Sequence, residues 1–369
     1  MLKRFSVENF KGFKDKITFE LDNVFNYEFN QGVVSKGRIT KGILYGINGS
    51  GKSNLGLAIF DLICHLTDKQ KLLNRYDYYL NMNGSKPFAE FEYVFEFHGE
   101  ELCYKYRKSA ATELIYESLS IAGKEVICFD FAKNEGFTCL DGTETLNHTI
   151  ENKSPISRVK YVSSNTILPD TKENAIFKSF IDYANKMLLF YSLDQRGYEG
   201  FRTGGESIAE GIIDSGHLLN FQQFLKENEI IYDLYAVEVD GRKSIYCHFE
   251  NQEADFFKIA STGTRSLALF YYWYIRMEQA SLVYIDEFDA FYHFELSNNI
   301  VSKLSTIENV QIFTTTHNTD LMNNDILRPD CYFIIKDNKI YSIADSTEKE
   351  LRKAHNLQKM YKAGAFDEK

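Results

Sequence analysis

The stretch GINGSGKSN, Gly46 to Asn54, decides the fold. It matches G-x-x-x-x-G-K-[ST] at Gly46, Gly51, Lys52 and Ser53. Ile43, Leu44 and Tyr45 before it form a short apolar strand pattern. After it, Leu55, Ala58, Ile59, Leu62, Ile63 and Leu66 recur at helical spacing. Strand, glycine-rich loop and helix are the context in which such a loop cradles phosphate. The glycines let backbone N–H groups turn inward around an anion, and the helix N-terminus adds its partial positive charge. Asn48, Gly49, Ser50, Gly51, Lys52, Ser53 and Asn54 are therefore the candidate nucleotide contacts. Lys52 is placed to reach the β- and γ-phosphates, and Ser53 to ligate Mg²⁺. The expected cofactors are ATP and Mg²⁺.

What the nucleotide is for must be read downstream. In SLVYIDEFDA, Ser281 to Ala290, the apolar run Leu282–Ile285 ends on Asp286 and Glu287. Beside a phosphate loop, Asp286 is placed to hold Mg²⁺ through water. Glu287 is placed to orient or deprotonate an attacking water; read alone, the pair would serve as well as a surface strand end. In VQIFTTTHNTD, Val310 to Asp320, another strand runs into Thr316, His317 and Asn318. His317 there can contact a γ-phosphate, although a lone His is as often a cap or core residue. In KIASTGTRSLALFYYWY, Lys258 to Tyr274, Ser261-Thr-Gly-Thr precedes an apolar helix. That is a second anion site at a helix start, or an ordinary N-cap. Two phosphate loops in one chain are economically explained if each serves a different ATP in a head-to-head pair.

The order of these motifs resembles the ABC-type ATPase heads of the SMC, RecF and OLD proteins. FSVENFKGFKDKITFEL is similar to their N-terminal strand, with its Asn-Phe-Lys-x-Phe element at Asn9–Phe13. STGTRSL, YIDEFDAFYH, TTTHN and the tail LRKAHNLQKMYKAGAF, Leu351 to Phe366, resemble more closely the AAA-15-type ATPases of bacterial anti-phage defence and abortive-infection operons. The resemblance implies an α/β fold: a mixed central sheet with flanking helices, an antiparallel β-lobe and a short helical insertion. It implies Lys11 near the nucleotide, Ser261, Gly263 and Thr264 as a signature acting in trans, Asp289 in the loop after Glu287, and His293 at a helix start. Thr264 stands where the ABC signature normally has glycine. No glutamine fits the loop linking the two lobes; Ser164 or Asn165 is the substitute candidate.

The implied organisation is one head over 1–369, built from 1–165 and 235–369, with 166–234 as a helical insertion. The implied function is an ATPase whose ATP-dependent homo-oligomerisation, as a dimer or larger ring, forms a sensor or clamp. It would control a separately encoded toxin or nuclease and answer to a nucleic-acid or phage-derived trigger. The alternative is a RecF- or SMC-like DNA-repair ATPase with no toxin partner. A self-contained nuclease is disfavoured, because the segment after His317 is short and lacks the acidic cluster two metal ions need.

Composition bounds these readings. Of 369 residues, 44% are hydrophobic and 25% charged, the balance of a soluble globular protein. The net charge of −10 argues against coating nucleic acid by bulk electrostatics. No apolar run approaches the roughly 18 residues of a membrane span, MLKRFSVENF has no signal core, and the six cysteines show no Cys-x-x-Cys; a cytoplasmic chain with reduced thiols and no membrane partner is expected. Phe91 to Phe97 alternate with polar residues and turn at His98-Gly99 into Leu102, Tyr104 and Tyr106, an antiparallel hairpin. Ile176, Phe177, Phe180, Ile181, Ala184 and Leu188 predict one helix, and Glu206–Glu227 another. Asp240-Gly241 predicts a hairpin turn. The tail predicts a helix whose Arg352, Lys353, Lys359 and Lys362 either dock a partner or face solvent while Leu351, Leu357 and Met360 pack.

Overall fold

The computed structural model describes residues 1–69, 73–146, 156–191, 198–201, 207–239 and 241–367. Two seven-stranded sheets dominate it. The central sheet runs, in spatial order, Tyr198–Gly200, Leu188–Tyr191, Leu282–Asp286, Gln311–Thr315, Lys41–Tyr45, Tyr332–Lys336 and Lys339–Ser342. Its five inner strands are parallel, and an antiparallel strand closes each edge. Lys41–Tyr45 and Gln311–Thr315 are buried at every residue, as strands covered on both faces must be. Their carboxyl ends share one edge of the sheet, with Thr315 opposite Leu44 and Thr314 opposite Ile285. The loops carrying Lys52, Glu287 and His317 therefore leave from neighbouring strands at the ligand-binding edge of such sheets.

The second sheet is an antiparallel lobe. Leu2–Glu8 and Ile17–Glu20 extend the meander Ala89–Phe97, Glu100–Ala110, Glu113–Ile121, Lys124–Asp130 and Glu135–Thr138. Its hairpin turn at His98-Gly99 has φ of 53° and 78°, the left-handed pair that a tight two-residue turn requires. Alternation along Glu100–Ala110 points Leu102, Tyr104, Tyr106 and also Lys108 inward.

The phosphate-loop helix, Lys52–Phe60, is packed between the two sheets. On one side Gly56 lets the Tyr284 ring approach within 2.7 Å of where a Cβ would stand, and the Tyr284 hydroxyl donates to the Lys52 carbonyl at 2.7 Å. On the other, the Tyr93 hydroxyl of the lobe donates to the Ala58 carbonyl at 2.8 Å. The helix stops at Asp61 and resumes as Ile63–Leu66, so the single helix expected through Leu66 is broken. Asp61 turns into the lobe instead, where Lys108, Tyr79 and Tyr106 bind its carboxylate.

Several expected boundaries move. The helix Lys172–Asn185 ends before Leu188, which belongs to the central-sheet strand Leu188–Tyr191. That strand and Tyr198–Gly200 place part of the expected 166–234 insertion inside the head; LLFY is too short for its periodicity to separate strand from helix. The pair of helices Ile208–Asp214 and Leu218–Glu227, interrupted at Gly216 with φ 73°, packs on the helix Thr262–Tyr274, with Phe221 and Phe224 against Tyr271. Ser207 closes a capping box with Glu210 at the first of them; Glu206, the expected start of one long helix, lies outside the described residues. The strands Asp233–Val239 and Arg242–His248 form the expected hairpin, although Asp240 of its turn is outside the described residues. In the tail only Leu357–Lys362 is helical, and Gly364 at φ 75° ends it. No helix among the described residues is long and apolar enough to cross a membrane.

Candidate functional site

Gly51 caps the phosphate-loop helix at φ 106°, a conformation closed to side chains, and the Phe13 ring lies 2.7 Å from where its Cβ would stand. Gly49 is likewise left-handed at φ 81°. Lys52 is buried and folds back over its own loop, donating to the carbonyls of Gly46 at 2.7 Å and Ile47 at 3.3 Å. Burial pulls its ammonium below the ordinary lysine range, and the carboxylates of Glu287 and Asp286 pull it back. The Ser50 hydroxyl is buried against Gly46 and has no hydrogen-bond partner among the described residues. A cation and two left-handed glycines at a helix N-terminus thus fit a nucleotide polyphosphate. Gly51→Ala is expected to weaken ATP binding at least about tenfold and to cost about 1–3 kcal/mol of backbone strain; nucleotide titration and thermal melting check it.

Asp286 ends its strand half-buried, and Glu287 follows at φ 44°, unusual for a non-glycine residue. Thr315, on the adjacent strand, holds both: its hydroxyl donates to Asp286 Oδ1 at 2.7 Å and accepts from the Glu287 N–H at 2.7 Å. The turn continues with the Phe288 N–H on the Thr315 carbonyl at 3.2 Å. Glu287 then faces His317, with Oε1 3.5 Å from Nε2. Thr316 donates to Asp289 at 2.6 Å and accepts from the Asn318 N–H at 2.8 Å, so the loops after Glu287 and before His317 are tied together. Burial raises the Asp289 carboxyl above its usual range, against the Thr316 hydroxyl, which lowers it. Asp289 is thus bonded within the protein and braces the loop. Sequence reasoning missed Thr315; the run TTTHN was its only signal, because the partner carboxylate lies on another strand.

The remaining candidates separate. The turn Asn9–Phe13 does sit against the phosphate loop, since Gly12 approaches Asn54 and Phe13 approaches Gly51. The Lys11 ammonium, however, is taken up by the protein itself, donating to the Asp77 carbonyl at 2.8 Å. Ser261 is exposed and caps the helix Thr262–Tyr274, its Oγ accepting from the Thr264 N–H at 3.1 Å. Gly263 lies close to the Phe291 carbonyl, 3.2 Å from where a Cβ would stand. Thr264 is buried with its hydroxyl on Ser261 at 2.9 Å, so it completes the cap rather than presenting itself to an anion. His293 caps the helix Phe294–Ser305 through Nδ1, at its start as expected. Ser164 and Asn165 end the helix Arg158–Asn165, where the Asn165 amide donates to Tyr161 of its own helix at 2.9 Å.

Residues 43–323 match the family described as "AAA domain, putative AbiEii toxin, Type IV TA system". The chain belongs to this family. No curated protein matches it. Solved structures similar to this AbiEii-type AAA chain include the SMC head domain from Thermotoga maritima, at 14% identity and TM-score 0.45 over 93% of this chain and 98% of that one. Another is the SmcHead bound to the C-winged helix domain of ScpA, at 13% identity and TM-score 0.47 over 93% and 96%. A third is the Smc head domain with an extended coiled coil bound to the C-terminal domain of ScpA derived from Pyrococcus furiosus, at 12% identity and TM-score 0.44 over 100% and 99%. The AbiEii-type AAA family and the sheet topology agree on a P-loop ATPase head of ABC type, with the cradle, the Asp286-Glu287 pair and His317 at one sheet edge.

Proposed function

We propose that this chain binds and hydrolyses ATP and uses ATP to join two or more copies of itself. The observation that carries the reading is Glu287, held at φ 44° by Thr315 with its carboxylate toward His317 and the charge of Lys52 nearby. That is the placement of a group that orients a water for attack on a γ-phosphate. Lys52 and the loop N–H groups bind the phosphates, and His317 contacts the terminal one. Ser53 and Asp286 would hold Mg²⁺, the latter through water; the ion supplies charge neutralisation at the transferred phosphoryl group. Ser261 and Gly263 of a second copy complete the site in trans, which fits the outward exposure of Ser261 at the start of an apolar helix.

The same reading makes the assembly a sensor or clamp that controls a separately encoded toxin or nuclease in phage defence, triggered by nucleic acid or a phage product. Its support is the tail LRKAHNLQKMYKAGAF and the STGTRSL loop, together with a family description that names a toxin–antitoxin system. The test is solution mass by light scattering for Glu287→Gln with and without ATP and Mg²⁺. A larger, ATP-dependent mass that Ser261→Arg abolishes is the expected outcome. An unchanged mass would overturn ATP-gated assembly.

A further inference from the structure

The segment that carries His317 is held from a distant part of the chain. After the strand Gln311–Thr315 the backbone makes one short turn, Thr319–Leu321, and then runs irregularly. Tyr332 grips it from the central sheet, its hydroxyl donating to the Leu321 carbonyl at 3.1 Å and the Asn323 carbonyl at 2.6 Å. Much of the remaining grip comes from the C-terminal segment. Asn324 is buried, and its amide nitrogen lies 3.1 to 3.3 Å from the carbonyls of Arg352, Lys353 and His355. On the helix Leu357–Lys362, Gln358 donates to Asp320, three residues past His317, and Lys362 lies 3.7 Å from the same carboxylate.

The same helix also reaches the end of the strand that leads into the phosphate loop. The Tyr361 ring is 6.4 Å from the ring of Tyr45, the residue before Gly46. Leu351, Leu357 and Phe366 are buried and seat the segment on the body. One stretch of chain thus lies against Tyr45, at the end of the strand before the phosphate loop, and against Asp320 and Asn324, in the segment that follows the neighbouring strand and His317.

We propose that residues 351–366 are a positioning clip for His317, required to be seated for hydrolysis and not for nucleotide binding. The proposal rests on the reading of His317 as a γ-phosphate contact. Its physical basis is that catalysis is far more sensitive to position than binding is: a misplacement of about 1 Å can cost about 10²-fold in rate. The imidazole sits half-exposed on irregular backbone, 3.5 Å from Glu287, and the clip limits where that backbone can go. Gln358 and Lys362 bond to Asp320 and not to the phosphate loop, so these two act through the segment that carries His317.

The experiment compares the full chain with Gln358→Ala/Lys362→Ala, both exposed or half-exposed positions, and with Asn324→Ala. In the double variant kcat is expected to fall at least about tenfold, while KM and the affinity for a fluorescent ATP analogue stay within about twofold. Amide hydrogen exchange across 317–325 should quicken in both variants. Asn324→Ala, at a buried position, should add a lower melting temperature; the double variant should melt with the wild type. Parallel loss of kcat and affinity, or unchanged exchange across 317–325, would overturn the clip. A wild-type chain with no ATP turnover would instead remove the proposed function, and exchange across 317–325 would still decide whether the tail holds that segment.

Discussion

Glu287→Gln is expected to lower kcat for ATP hydrolysis by about 10²–10⁴-fold, the range removed with a general base, while ATP binding is kept. The amide preserves shape and the backbone turn, since the bond that fixes the turn comes from the Glu287 N–H to Thr315 and not from its side chain. What is lost is the negative charge facing His317 and the capacity to accept a proton. Thr315→Val supplies the contrast. It keeps the volume and removes both hydroxyl bonds, freeing Asp286 and releasing Glu287 from φ 44°. Hydrolysis should fall by roughly tenfold, and the Mg²⁺ concentration for half-maximal rate should rise, because Asp286 is no longer oriented. Single-turnover rates with radiolabelled ATP, beside equilibrium binding of the same nucleotide, separate the two effects. A Glu287→Gln chain that hydrolyses ATP within about threefold of the wild-type rate would show that the water is oriented elsewhere.

The parts of this site that can be read from the sequence share a property. Lys52, Glu287 and His317 each lie within a few residues of a short apolar strand, so local pattern and spacing place them at a strand's carboxyl end. The parts that cannot be read depend on contacts between distant segments. Thr315 matters because it sits between Asp286 and Glu287, and Thr314 pairs with Ile285 only once the sheet is assembled. The tail's hold on Asp320 and Asn324 leaves no local signature, since the groups accepting from Asn324 are backbone carbonyls. Lys11 shows the reverse case. Its motif correctly brings the turn to the phosphate loop, but the Asp77 carbonyl takes its ammonium, and nothing near Lys11 in the sequence announces that competitor. Leu188–Tyr191 is ambiguous for a different reason: four apolar residues at the end of an amphipathic helix continue its stripe, and only the open edge beside Leu282–Asp286 makes them a strand.

Lys108→Met is expected to destabilise the protein by about 3–5 kcal/mol, the cost of leaving one member of a buried ion pair alone. Both side chains of the pair are fully buried, with Lys108 Nζ 2.8 Å from Asp61 Oδ2. The Asp61 carboxylate also accepts from Tyr79 at 2.9 Å and Tyr106 at 2.8 Å, while Lys108 donates to the Ala111 carbonyl at 2.9 Å. These bonds tie the end of the phosphate-loop helix to the β-lobe. Removing the cation leaves a carboxylate with two phenols and no opposite charge in a dry interior. Asp61→Asn together with Lys108→Met removes both charges and should cost clearly less than Lys108→Met alone, a non-additivity that a double-mutant cycle in urea would measure. An additive cycle would mean the pair contributes no coupling. His65 gives the same region a pH dependence. It is buried beside Tyr104, and burial first, then Lys108, hold its imidazole well below the usual histidine range. The unfolded chain therefore takes up the proton first as pH falls through about 6.5, so stability declines from there down to the folded value. Lys108→Met removes one of the two main causes of that depression. Its stability should therefore fall less steeply with acid than that of the wild type, even as its stability at neutral pH is lower. Urea midpoints measured between neutral and mildly acidic pH would show the two curves converging; parallel curves would mean that the Lys108 charge does not reach His65.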